Sequence, residues 1–178
     1  MKLSADVDSV LRVQRYDGLP SIDGVEFIEL RRFNDDGGSM MELFRFNEPR
    51  PAGLEGFEPQ QLNYSVVQPG AIKAFHLHRR QTDVWFVPPE DRILMVLVDM
   101  RAGSSSEGVR QRIVLGDGNN RLVRVPPGVA HGCRNLSRSE SRILYLTDVV
   151  FDPDPERCDE GRLPWDFAGA EVWDIVKE

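Results

Sequence analysis

Three histidines, His76, His78 and His131, are the residues of this chain whose type and spacing can do chemistry. The first two stand in A-F-H-L-H-R-R-Q-T-D and the third in P-P-G-V-A-H-G-C-R-N. An imidazole titrates near pH ~6.5, so it accepts or returns a proton at neutral pH, and its neutral form also ligates transition metals. On a regular strand alternate side chains share a face. That places His76 and His78 together with Ile72 and Ala74, and sends Lys73, Phe75 and Leu77 to the other side. Two imidazoles on one inward face each require hydrogen-bond partners, which a merely tolerant apolar wall does not supply. The pattern therefore favours a cavity lined by histidine.

The elements that must position these residues read as β structure, because short apolar or alternating runs are separated by turn residues at fairly even spacing. Strands are predicted over 25–33 and 40–46 around Asn34-Asp35-Asp36-Gly37-Gly38, and, after a loop at 47–59, over 63–67 and 72–78. Further strands are predicted over 84–87, 92–100, 110–115, 121–125 and 142–150, with Gly116-Asp117-Gly118-Asn119 as a hairpin turn. Only 168–177 has helical character. No repeat or inter-domain linker interrupts the pattern, so the chain reads as one domain, 1–178, with an N-terminal arm to about residue 24 and a C-terminal tail from about residue 152. The expected class is all-β, a jelly roll of two sheets.

Composition bounds the function. The chain has 178 residues, 40% of them hydrophobic, which suits one domain with a substantial core. A net charge of −7 with interspersed signs gives no basic stripe, so nucleic acid is not the expected partner. Only Lys2, Lys73 and Lys177 are lysines; the remaining cations are arginines, which leaves a local anion site open. Cys133 and Cys158 are too few and too isolated for a disulfide framework or structural zinc and read as ordinary thiols. The N-terminus lacks an apolar signal core and no run approaches the ~20 apolar residues of a membrane span, so no membrane and a cytoplasmic location are expected.

Residues 126–135 fit P-x-G-x-x-H-x-x-x-N at each fixed position, and 76–78 supply an H-x-H, so the chain resembles the cupin superfamily. From about Glu26 to Asp174 it resembles, more narrowly, the dTDP-4-dehydrorhamnose 3,5-epimerase family. The blocks that carry this resemblance are R-R-F-N-D-D-G-G-S-M-M-E-L-F-R, Q-L-N-Y-S, K-A-F-H in place of R-G-L-H, V-D-M-R-A-G-S, P-P-G-V-A-H-G and I-L-Y-L-T-D, all in family order. The resemblance implies a cupin jelly roll acting as a carbohydrate epimerase on a sugar or sugar nucleotide, without a cofactor, as a homodimer. A 4-keto group acidifies the neighbouring C–H bonds, so such an enzyme needs a base on one face of the sugar and an acid on the other. By resemblance the base is His76 and the acid Tyr145, with Asp174, or next Asp166, as the carboxylate that orients the base. Glu42, Arg45, Asn63, Lys73, His78, Asp83 and His131 are the substrate-binding candidates.

Two departures open other readings. The family's lysine after the base is replaced in the stretch Gln81-Thr82-Asp83, a change from cation to anion, and the early arginine and aromatic are replaced by Gly37 and by Ser39 or Met40. Lys73 would compensate only if a bulge turned it inward. Arg32, Arg79, Arg80 and Arg124 are alternative anion ligands. His76, His78, Asp83 and His131, with Gln81 as a substitute for Asp83, also match the type of set by which metal-dependent cupins, oxygenases and isomerases among them, hold Fe(II), Mn(II), Ni(II) or Zn(II). The family's metal-independent members usually carry glutamine where His78 stands. A third reading is a sugar-binding module with a degenerate catalytic site.

Overall fold

A computed structural model describes residues 1–13, 20–47 and 50–176. Twelve strands are present: β1 Glu26–Glu29, β2 Arg32–Asp35, β3 Gly38–Met41, β4 Gln61–Val67, β5 Ile72–Leu77, β6 Asp83–Phe86, β7 Arg92–Asp99, β8 Arg110–Gly116, β9 Arg121–Val125, β10 Val129–Asn135, β11 Ser141–Thr147 and β12 Gly161–Arg162. One antiparallel sheet runs β1-β9-β6-β11-β4 and the other β12-β5-β10-β7-β8, with β2 and β3 as a separate hairpin. The expected jelly roll of two sheets is what forms.

Side-chain alternation explains why the sheets stack. On β7, Ile93, Met95 and Leu97 enter the core between the sheets, with Val67, Trp85, Val123, Val125 and Ile143 from the opposite sheet. The intervening Leu94, Val96 and Val98 point outward and join Phe75 and Ala130 under Ala168, Val172 and Trp173 of the tail. A third cluster covers the outer face of the first sheet, where Leu54 and Phe57 pack on Val84, Phe86, Leu122 and Leu146. Both sheets are thus buried on two faces, and the loop at 50–59 and the tail act as covers.

Several boundaries differ from the sequence reading. The run 25–33 splits at Leu30-Arg31 into β1 and β2, and regular pairing on the second arm stops at Met41. β10 occupies 129–135, a stretch not assigned to a strand because its Pro-Pro-Gly entry and polar C-R-N end conceal the alternation. The tail carries a short 3-10 helix at Ala170–Trp173; position 177 of the expected helical run lies outside the described residues. A six-residue helix, α1 Ala5–Val10, adds no buried residue to the core.

Motif residues that look chemical turn out to hold the frame. Asn135 Nδ2 donates to Val67 O and Ser139 O, while its Oδ1 accepts from Ser137 N and Ser141 Oγ. Gly128, at φ +80° and with a Cβ position that would collide with Arg101, donates its N–H to His78 O at 2.8 Å. In V-D-M-R-A-G-S, the buried Asp99 accepts from Arg101 Nε and Nη2 and from the Ser104 and Ser106 hydroxyls, which holds its carboxyl well below the usual range.

Asp99→Asn is expected to destabilise the fold by about 2 kcal/mol near neutral pH, read by chemical denaturation. Since the folded carboxyl is depressed, that stabilisation is complete above ~3.9, the unfolded value, and fades as pH falls below it. The gap between variant and wild type therefore narrows under pH ~4. Trp173 is 1% exposed, with its ring centroid 5.2 Å from that of Phe75. Trp173→Ala is expected to cost about 3–5 kcal/mol by the same measurement.

Candidate active site

β5 carries the first two histidines, and it is irregular. His131 pairs with His76 and Cys133 with Lys73, so three steps on β5 match two on β10. This bulge lies around Ala74 and Phe75, whose peptide bond is cis. Gly132 makes room for it, since a Cβ there would overlap Ala74. The consequence is a reversal of parity: Phe75 faces the outer cluster, whereas Lys73 turns to the same cavity as His76 and donates Nζ to Ser65 Oγ and Val66 O, both at 2.9 Å. Simple alternation had assigned Lys73 to the far side.

A cavity of about 470 Å³ lies between the sheets, lined by His76 and Lys73 from one and by Asp83, Trp85 and Tyr145 from the other, with Glu160 and Arg162 from the tail. His76 is armed from the tail at both ring nitrogens. Its Nδ1 lies 3.2 Å from Glu160 Oε2, and its Nε2 accepts from Arg162 Nη1 at 2.8 Å. Burial lowers the His76 pKa, with Glu160 partly restoring it and His131 and Arg162 lowering it further, so the ring is neutral and able to accept a proton. Tyr145 is shifted the other way, first by burial and then by Asp83 and Glu160, and it keeps its proton as an acid must.

The remaining histidines meet Asp83 beneath this cavity. His131 Nε2 lies 3.3 Å from Asp83 Oδ2, and His78 Nε2 lies 3.9 Å from Asp83 Oδ1. Gln81 Nε2 and Trp85 Nε1 donate to Asp83 at 2.7 and 3.2 Å. Burial alone would raise the Asp83 carboxyl, but the His131 and His78 imidazoles and the Gln81 amide outweigh it and hold the pKa at about 2. His76 takes no part in this cluster's contacts with Asp83; the four residues grouped by sequence as a ligand set divide into a base and a buried triad.

Asp174 does not orient the base. Its side chain is exposed at the end of the 3-10 helix, Asp166 is exposed as well, and Glu160 is the carboxylate at His76. The tail was the right segment, but β12 has only two residues and offers no periodicity from which to choose among its acids. Arg162 was missed for the same reason. Glu42 and Arg45 pair with one another at 2.8 Å on the exterior, and Glu42 borders a separate apolar groove, so neither reaches the His76 cavity within the chain. Asn63 accepts from Gln61 at 2.7 Å and lines an adjoining space of about 390 Å³ that shares Tyr145, Glu160 and Arg162 with the main cavity. Arg32 donates to Ser39, Arg124 to Gly53 O and Arg80 to Arg157 O; none of them lines the main cavity. Cys133 is a buried thiol pushed up to about 12 by burial, and inert.

Known proteins share this architecture. The chain is 40% identical over 145 residues to the spore coat polysaccharide biosynthesis protein SpsL of Bacillus subtilis, covering 82% of this chain and 91% of that one. A dTDP sugar isomerase structure from Desulfovibrio desulfuricans G20 superposes with a TM-score of 0.72 at 25% identity, over 90% of this chain and 94% of that one. The dTDP-6-deoxy-D-glucose-3,5-epimerase of Legionella pneumophila, solved in complex with dTDP-4-keto-L-rhamnose, superposes with a TM-score of 0.64 at 26% identity, over 76% of this chain and 72% of that one. The family model for dTDP-4-dehydrorhamnose 3,5-epimerase matches residues 20–165, and the chain belongs to that family.

Proposed function

We propose that this chain is a sugar-nucleotide epimerase that inverts a carbon next to the keto group of a nucleotide-linked sugar, with His76 as base and Tyr145 as acid. The observation that carries the reading is that His76 and Tyr145 project into one cavity from opposite sheets, as proton removal on one face and delivery on the other requires. His76 Nε2 takes the proton from carbon, the C–H electrons move into the carbonyl to give an enolate, and the Tyr145 hydroxyl delivers a proton to the opposite face as the carbonyl re-forms. Nothing is oxidised or reduced, so the balance calls for no redox cofactor. Glu160 holds Nδ1–H, fixing the tautomer that leaves Nε2 basic. Arg162 must release Nε2 before the base can work, and its half-exposed guanidinium then lies beside the substrate. Lys73, turned inward at the rim, is the cation placed to meet a phosphate.

The intact pairing of His76 with Glu160 favours an enzyme over a degenerate binding module. A second copy of the chain would cover the outer groove of about 320 Å³ formed by Phe44, Phe46, Leu62, Phe86, Leu144 and Leu146, which is the surface we assign to a homodimer. No described helix is long and apolar enough to cross a membrane.

The test is deuterium incorporation from D2O into dTDP-4-keto-6-deoxyglucose, followed by NMR. His76→Ala is expected to lose at least ~10²-fold in exchange rate while keeping its fold, and wild-type protein that exchanges no 4-keto sugar nucleotide would remove the reading. Glu160→Gln is expected to lower kcat by roughly 10²-fold with KM little changed, whereas Asp174→Asn leaves both as they are; the reverse pattern would return the orienting role to Asp174.

A further inference from the structure

The two buried histidines beneath the cavity have already committed one nitrogen each. His78 Nδ1 lies 2.7 Å from Asp159 O and His131 Nδ1 lies 3.1 Å from Val129 O. A carbonyl oxygen only accepts, so both rings carry their hydrogen at Nδ1 and turn the bare Nε2 lone pair inward. What those lone pairs face is the Asp83 carboxylate. His131 is 1% exposed, and its Nε2 makes no hydrogen bond among the described residues. Three acceptor groups therefore converge with their ligating atoms within 4.8 Å of one another. Such an arrangement repels itself unless a positive centre stands inside it.

We propose that His78, Asp83 and His131 bind one divalent transition-metal ion at the floor of the His76 cavity. The donor set of two neutral imidazoles and one carboxylate suits Zn(II), Fe(II) or Co(II) and leaves coordination positions for substrate oxygen. Ligands ~2.1 Å from a metal stand about 3.4 Å apart in a tetrahedron, close to the 3.3 Å between His131 Nε2 and Asp83 Oδ2. The surroundings are those of a ligand set: both imidazoles donate their outer nitrogen to backbone carbonyls, and Gln81 and Trp85 hold the carboxylate. His76 stays outside, engaged by Glu160 and Arg162 at both nitrogens. Asp83 itself lines the cavity, so an enolate formed there would be opposed by the carboxylate unless a cation intervened. The location of the ion rests on geometry; its role, to hold the keto oxygen as it gains negative charge, rests on the epimerase reading.

The experiment strips the wild-type protein with a chelator and titrates it with Zn(II) and, separately, Co(II), which reports nitrogen and oxygen ligation by its visible absorption. One ion per chain is expected, with a rise in Tm that chelator reverses, and with affinity reduced at least ~100-fold in His78→Gln and in Asp83→Asn. Stripped, folded wild-type protein that takes up neither ion would overturn the site, as would variants that bind as tightly as wild type. Wild-type uptake is decisive without the variants, so a substitution that fails to fold does not shelter the proposal. Exchange in D2O, measured on stripped and loaded protein, separates the two claims. Uptake at these residues without exchange in either state keeps the site and removes the epimerase, whereas exchange with no uptake of either ion removes the site and keeps the epimerase.

Discussion

The edge of β5 is the constraint on which the site depends. An edge strand left open would present unpaired backbone groups, and here the tail closes it: Gly161 and Arg162 pair with Leu77 and His76, and Phe75 and Leu163 exchange both backbone hydrogen bonds. That short ladder does more than cover an edge. Asp159 receives the N–H groups of Arg79, Arg80 and Gln81 on its carboxylate and His78 on its carbonyl, while Glu160 and Arg162 engage His76. Four successive residues thus fix the direction of two imidazoles and the turn between β5 and β6. Trp173, seated on Phe75, anchors the tail from its far end.

Much of this was legible from the sequence, and the reasons are physical. Alternation and turn residues were enough for the two-sheet architecture, because a strand buried on both faces, such as β7, or bounded by glycine turns, such as β8 and β9, leaves a strong signature in the chain. His76, Tyr145 and His131 sit where their motifs imply. What remained hidden follows from irregularity. A bulge is one extra residue with no compositional mark of its own, so the inward turn of Lys73 could be named only as a condition. The carboxylate of the base lies in a two-residue strand, where spacing carries no information and only tertiary pairing selects Glu160 over Asp166 and Asp174.

The departures from the family pattern look unrelated when read along the chain, since a histidine and an aspartate five positions apart have no evident reason to meet. The fold gives one. His78 leaves the end of β5 in one sheet and Asp83 opens β6 in the other, and the chain between them crosses the gap so that the two side chains stand 3.9 Å apart. Charge lost as lysine and imidazole gained are then a single change in one pocket, and the cavity keeps its two-faced proton chemistry while the ground beneath it acquires a different electrostatic character.

Because His76, His78 and His131 belong to one sheet or its margin and Asp83 and Tyr145 to the other, the active geometry is also a gauge of how far apart the sheets sit. The spacing is set by the apolar layer of Ile93, Met95, Leu97, Val123 and Ile143, which touches no polar group of the site by necessity. Close-packed interiors transmit changes in volume instead of absorbing them. A methylene gained or lost in that layer would therefore alter the reach from base to acid and from imidazole to carboxylate together. Evolution can tune this site's chemistry from the hydrocarbon between the sheets, leaving every reactive side chain unchanged.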